Sequence, residues 1–150
     1  MRAWSAHARD PAGHRAVIDA CQGVMDRAAT LGDLLPVIKT LAAWHLLADG
    51  NRADAVRIFE SALAADKGAP PLTRYADTMA RRWLTRLEHS QAEKALQAYY
   101  ADHVEYPGSL QQLRDLVQDQ PVPETDRFGD PWVYETASFS KLRSTPNQRY

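Results

Sequence analysis

Apolar residues recur every three or four positions through most of this chain, and near residue 132 the spacing shortens to two. The first pattern predicts helices and the second a strand. A helix is expected to open at Asp10-Pro11, aspartate as cap and proline in the first turn. It runs to about Ala29 with Val17, Ile18, Cys21, Val24, Met25 and Ala28 on one face. Gly32 stops it, and Asp33 is placed to cap a second helix bearing Leu34, Leu35, Ile38, Leu41, Ala42 and Leu46. Asp49-Gly50-Asn51 breaks the chain again. A third helix is expected from about Arg52 to Ala65, burying Ala55, Val56, Ile58, Phe59, Ala62 and Leu63.

The run Lys67-Gly68-Ala69-Pro70-Pro71 forbids continuous helix. It divides the chain into an N-terminal helical unit, 1–69, and a C-terminal unit, 70–150. The pattern resumes as one long helix from Leu72 to about His103, with Leu72, Tyr75, Met79, Trp83 and Leu87 as its apolar stripe. Tyr106-Pro107-Gly108 ends it. Ser109 caps a short helix carrying Leu110, Leu113, Leu116 and Val117, which stops at Pro121 and Pro123. After the turn cluster Asp126 to Pro131, residues Trp132 to Tyr134 read as a strand. Phe139 to Leu142 is its expected partner across Ala137-Ser138, and Arg149-Tyr150 reads as the start of a third strand. The fold class is therefore α+β, mostly α, with a small antiparallel β-ribbon.

Composition narrows the function more than it directs it. The 150 residues are 45% hydrophobic and 25% charged, with a formal net charge of −1. Near-neutrality gives no global electrostatic case for nucleic acid. No apolar run approaches the roughly 18 residues of a membrane span. The polar start lacks a signal peptide's apolar core, so a cytoplasmic setting is the default expectation. The single cysteine, Cys21, excludes an internal disulfide and a cysteine-built zinc site. Its apolar neighbours mark it as a small core residue.

Two segments resemble known families. Residues 34–66 have the length of a tetratricopeptide helix pair, with Gly50 in the turn and Ala55, Phe59 and Ala62 at that repeat's second-helix spacing. Ala43 replaces the repeat's usual glycine, Leu46 its tyrosine, and Pro70 closes late. The resemblance implies close helix packing around Phe59. The second resemblance covers about Thr73 to Tyr150. The stretch from Leu96 to Tyr134 has the order of elements found in the soluble part of type II secretion pseudopilins, the major pseudopilin above all. Its matching residues are Leu96, Tyr99, Tyr100, Tyr106, Pro107, Leu110, Leu113, Asp130, Pro131, Trp132 and Tyr134. Gly129 precedes the Asp-Pro pair where those proteins place glycine after the tryptophan. A prepilin-type cleavage signal and an acidic calcium loop are both absent. The resemblance thus implies a fold and a tendency to assemble, and no metal ligand.

Candidate chemistry is sparse. His7, His14, His45, His89 and His103 are scattered, and no two have the three- or four-residue spacing of a ligand pair on one helix. His103 with Asp102 and Glu105 forms a loose metal candidate, and reads as a solvated helix end. Asp126 and Asp130 flank a glycine turn that suits calcium or, as a different class of function, a metal-dependent hydrolase. Such aspartates more often brace turns. No nucleophile elbow or phosphate loop is present. Trp83, Tyr99, Tyr100, Trp132 and Tyr134 are candidate partner anchors, and Arg81, Arg82 and Arg86 a candidate basic patch. The expected function is a non-enzymatic protein-interaction or scaffold module, tied to a secretion or pilus-like envelope assembly. The alternative is a peptide-binding helical-repeat adaptor. No cofactor is expected, and the partner is a protein or a second copy paired at the open edge of the ribbon.

Overall fold

The computed structural model describes residues 11–27, 30–63, 69–116, 123–135 and 142–143. The protein is mostly helical. Its chain divides into two compact units, residues 1–81 and 82–150. The division falls inside the long helix and not at the glycine–proline run, of which residues 67 and 68 lie outside the described residues.

In the first unit, α1 spans Pro11–Met25, α2 Leu35–Ala48 and α3 Arg52–Ser61. Asp10 and Ala28 lie outside the described residues. A single 3-10 turn, Gly32–Leu34, makes the restart before α2, so Asp33 is not the cap expected of it. Leu34 takes the cap position with no side-chain bond, and Pro36 supplies the preset first turn. Gly50, with φ +85°, ends α2. Its amide donates to Leu47 O and that of Asn51 to Leu46 O, the paired bonds of a left-handed helix stop. Asn51 then caps α3 by accepting from the Asp54 amide at 3.3 Å.

α2 packs against both α1 and α3. Alanines make the approach close: Ala42, Ala43, Ala55 and Ala62 are buried, and Phe59 is buried completely. Lys39 Nζ donates to Ser61 O at 3.0 Å, joining α2 to the open carbonyl end of α3. Leu34 and Leu41, expected in the core, are exposed.

α4 runs Pro71–His103 as one unbroken helix, Pro71 opening it from within the expected linker. Of its expected stripe, Leu87 is buried and Met79 and Trp83 are half-buried. Leu72 and Tyr75 are exposed, whereas Ala76 and Ala80 in the first unit and Leu84, Thr85, Leu87, Ala92 and Leu96 in the second are buried.

The second unit continues with α5, Leu110–Leu116. Ser109 Oγ accepts from the Gln112 amide at 3.2 Å, and Gln112 Oε1 accepts from the Gly108 amide at 2.9 Å. The Ser109 cap is the one expected of it, and Gln112 reaches back past it to Gly108. Ala92, Leu96, Leu110, Leu113 and Trp132 form the buried cluster, with Tyr99, Tyr106 and Tyr134 packed on it. The small ribbon expected from 132 to 142 is not supported. Among the described residues, only β1, Val133–Tyr134, faces β2, Leu142–Arg143, in an antiparallel pairing two residues long. The backbone before it is held by a turn around Asp126 and one isolated bridge, Thr125 to Pro131, so it is not free to extend a sheet. Phe139 to Lys141 and the segment 144–150 lie outside the described residues.

Candidate functional site

The three helices of the first unit enclose a groove of about 230 Å³. α1 contributes one helical face to it, through Arg15, Ile18, Asp19, Gln22 and Met25. Asn51, Asp54, Arg57 and Ile58 of α3 form the opposite wall, and Ala42 and Leu46 of α2 the floor. The floor is apolar, and the walls mix apolar Ile18, Met25 and Ile58 with polar residues. Two arginines and two aspartates leave the walls without net charge. Arg57 pairs with Asp54 at 3.0 Å, and Arg15 reaches Asp49 at 3.6 Å. The Asn51 amide group holds the Asp54 carboxyl below its ordinary value, with Arg57 adding to the effect. A site this size falls below the roughly 300 Å³ of a small-molecule pocket, and suits one or two side chains of a peptide.

The groove was not legible as a site, because none of its residues makes a motif. Nor was the meeting of His14 and His45, which lie 31 residues apart and touch through Nδ1 atoms at 2.9 Å. The one available signal was that His14 lies seven residues before Cys21, on the apolar stripe of α1. Cys21 is itself buried, which pushes its thiol up and away from the reactive thiolate.

In the second unit, Trp132 lies in the buried cluster, tilted against His89 with ring centroids 5.6 Å apart. Tyr134 donates to Pro107 O at 2.6 Å, and Gln112 donates to the Tyr99 hydroxyl at 3.0 Å. Burial, then the neighbouring phenols of Tyr106 and Tyr99, pushes the Tyr134 hydroxyl up. Tyr99 stacks on His103 at 4.0 Å and Tyr100 on Tyr106 at 4.7 Å. Trp132, Tyr99 and Tyr134 therefore converge on one core, while Tyr100 is more open to solvent. Trp83 stands apart from them, with the Arg86 guanidinium 5.0 Å above its ring. Arg81 pairs with Asp77 at 2.9 Å, and Arg82 is half-buried.

His103 Nδ1 lies 3.0 Å from Tyr99 O, one turn back on its own helix. Asp126 is buried, and its Oδ1 accepts from the amides of Phe128 at 2.8 Å and Asp130 at 3.0 Å. Gly129, with φ +91°, closes the loop by donating to Asp126 O. Arg127 ties this turn to α4, its side chain to Glu88 at 2.6 Å and its amide to Thr85 at 3.3 Å. Asp126 is thus used to brace a turn. Among the described residues, no three histidine, cysteine or acidic side chains gather as a metal site. No described helix is long and apolar enough to cross a membrane. Comparison with known proteins found no matching family model, curated protein or solved structure.

Proposed function

We propose that this chain is a non-enzymatic protein-interaction module that receives a short segment of a partner in the groove between α1 and α3. The observation that carries this reading is the groove's lining, in which apolar Ile18, Met25, Ala42, Leu46 and Ile58 stand among polar residues whose two arginines and two aspartates balance in charge. Such a lining takes an apolar anchor side chain, and its polar groups offer donors and acceptors to the peptide backbone on either side. The helix pair α2–α3, with its tetratricopeptide-like spacing, supplies two of the three sides.

A display library of random peptides, selected on the purified chain, tests the reading. Enriched peptides are expected to share an apolar anchor. They are expected to bind Ile18→Glu and Ile58→Glu at least about tenfold more weakly, a loss of about 1.4 kcal/mol. Tyr100→Ala, in the other unit, serves as the control. Selected peptides whose affinity ignores both groove substitutions sink the reading.

A second reading takes the pseudopilin-like half as the working part, in a secretion or pilus-like assembly. It is supported by the convergence of Trp132 and Tyr134 on Leu96, Leu110 and Pro107. A photo-crosslinker in place of Tyr100, tried in the presence of pseudopilins, separates the two. An adduct supports this second reading, and a chain that captures none of them counts against it.

A further inference from the structure

We infer that the His14–His45 contact is a proton-linked latch, which holds α1 on α2 while both rings are neutral and releases it on acidification. The two rings come from different helices and are only 2% and 8% exposed. Their Nδ1 atoms stand 2.9 Å apart and their centroids 5.1 Å apart. Trp44 packs on both, its ring 5.9 Å from His14 and 4.8 Å from His45.

A bond between two ring nitrogens needs one proton, so one Nδ1 donates and the other accepts. His14 Nε2 identifies the donor. It is buried with no hydrogen-bond partner. If His14 accepted at Nδ1, Nε2 would carry the N–H and leave it unsatisfied in the interior, which is the more costly tautomer. His14 therefore donates from Nδ1 and leaves a bare lone pair at Nε2, and His45 accepts.

That arrangement has no good place for a further proton. On His14 Nε2 it makes a buried cation with an unpartnered N–H. On His45 Nδ1 it removes the acceptor and sets two N–H groups against each other. Once α1 lifts, both rings reach water, where an imidazole takes a proton below about pH 6.5. The open state then binds more protons than the closed one. The latch is fully engaged above that pH and is lost as pH falls below it, by about ten- to a hundredfold per pH unit for one or two protons.

Charged groups on the packed elements do not compete in this window. On α1 they are Arg15 and Asp19, on α2 Lys39 with Asp49 at its end, in the preceding turn Asp33, and on α3 Arg52, Glu60 and the Asp54–Arg57 pair. Carboxylates, guanidinium and ammonium groups ordinarily change charge well outside pH 5 to 7. Because α1 is a wall of the groove, its release would dismantle that site. This consequence rests on the groove reading, and the latch itself does not.

The test is NMR on the full chain from pH 7.5 to 5, following imidazole nitrogens and amide exchange. At pH 7.5 the expected pattern is a protonated Nδ1 on His14 and an unprotonated Nδ1 on His45. On acidification α1 amides should lose protection at least about tenfold per pH unit, while α5 amides hold theirs. His45→Asn, which keeps an uncharged hydrogen-bonding group there, should reduce the pH course to the single proton of His14, about tenfold per pH unit. Two charged rings with α1 still protected would falsify the latch, as would an unchanged pH course in His45→Asn. If that variant does not fold, the wild-type tautomers and α1 protection decide alone. A latch that opens in a chain binding no peptide supports the latch and fails the groove reading.

Discussion

Single residues at the helix ends carry more of this structure than their size suggests. Asn51 accepts from the Asp54 amide while its own amide group donates to the Asp54 carboxylate at 2.7 Å. Asn51→Ala should cost about 1 kcal/mol in a denaturant melt. Asp54, held below its ordinary value, contributes its part above the unfolded carboxylate range and loses it as pH falls through its own lowered value. At the other extreme, Val104 ends α4 with φ +61° and 77% of its surface exposed. A branched side chain in that region is strained, so Val104→Gly is expected to raise stability by about 1 kcal/mol in the same melt. Tyr134→Phe removes the 2.6 Å bond to Pro107 and should cost about 1 kcal/mol near neutrality. It should also flatten the alkaline limb. The raised Tyr134 hydroxyl contributes stability present below the unfolded value of about 10 and lost as pH rises through its folded value. A melting series from pH 8 to 11 checks the sign.

At the scale of elements, periodicity placed α1, α2, α3, α4 and α5 within a few residues, because caps and breakers are local chemistry. Gly50, Ser109 and Pro107 act where they stand. What periodicity misjudged was which face is buried. On α4 the large residues Leu72 and Tyr75 read as core, yet they are exposed and Ala76 and Ala80 are buried. Residue size argues for burial only when the neighbour leaves room, and nothing local reports that distance. Phe59 is the opposite case, a large ring in a gap that alanines open. Phe59→Ala should cost about 3 to 5 kcal/mol, read as lost amide protection in α2 and α3. The residues before Trp132 spend their amides on the Asp126 carboxylate, so Asp126→Ala should destabilise the second unit by about 1 to 3 kcal/mol. Added calcium should leave the unfolding midpoint of the native chain unchanged, which a calorimetric scan with and without the ion would establish.

Over the whole molecule, each of the two units has buried residues of its own among the described ones, and the candidate features divide between them. The first unit holds the groove and the histidine pair, assembled from positions tens of residues apart. No motif search finds such sites, since each residue looks ordinary where it stands in the chain. The second unit holds the aromatic segment that the sequence announced, and there the rings mostly pack against one another. Trp132 is the clearest instance, 7% exposed with an indole nitrogen that has no hydrogen-bond partner. An indole so enclosed is a natural clock. Its N–H proton can meet deuterium only when the cluster around it parts, and its emission should lie to the blue of Trp83, which is only half-buried. The exchange lifetime of that one resonance would time the breathing of the second unit, with no label attached and no residue changed.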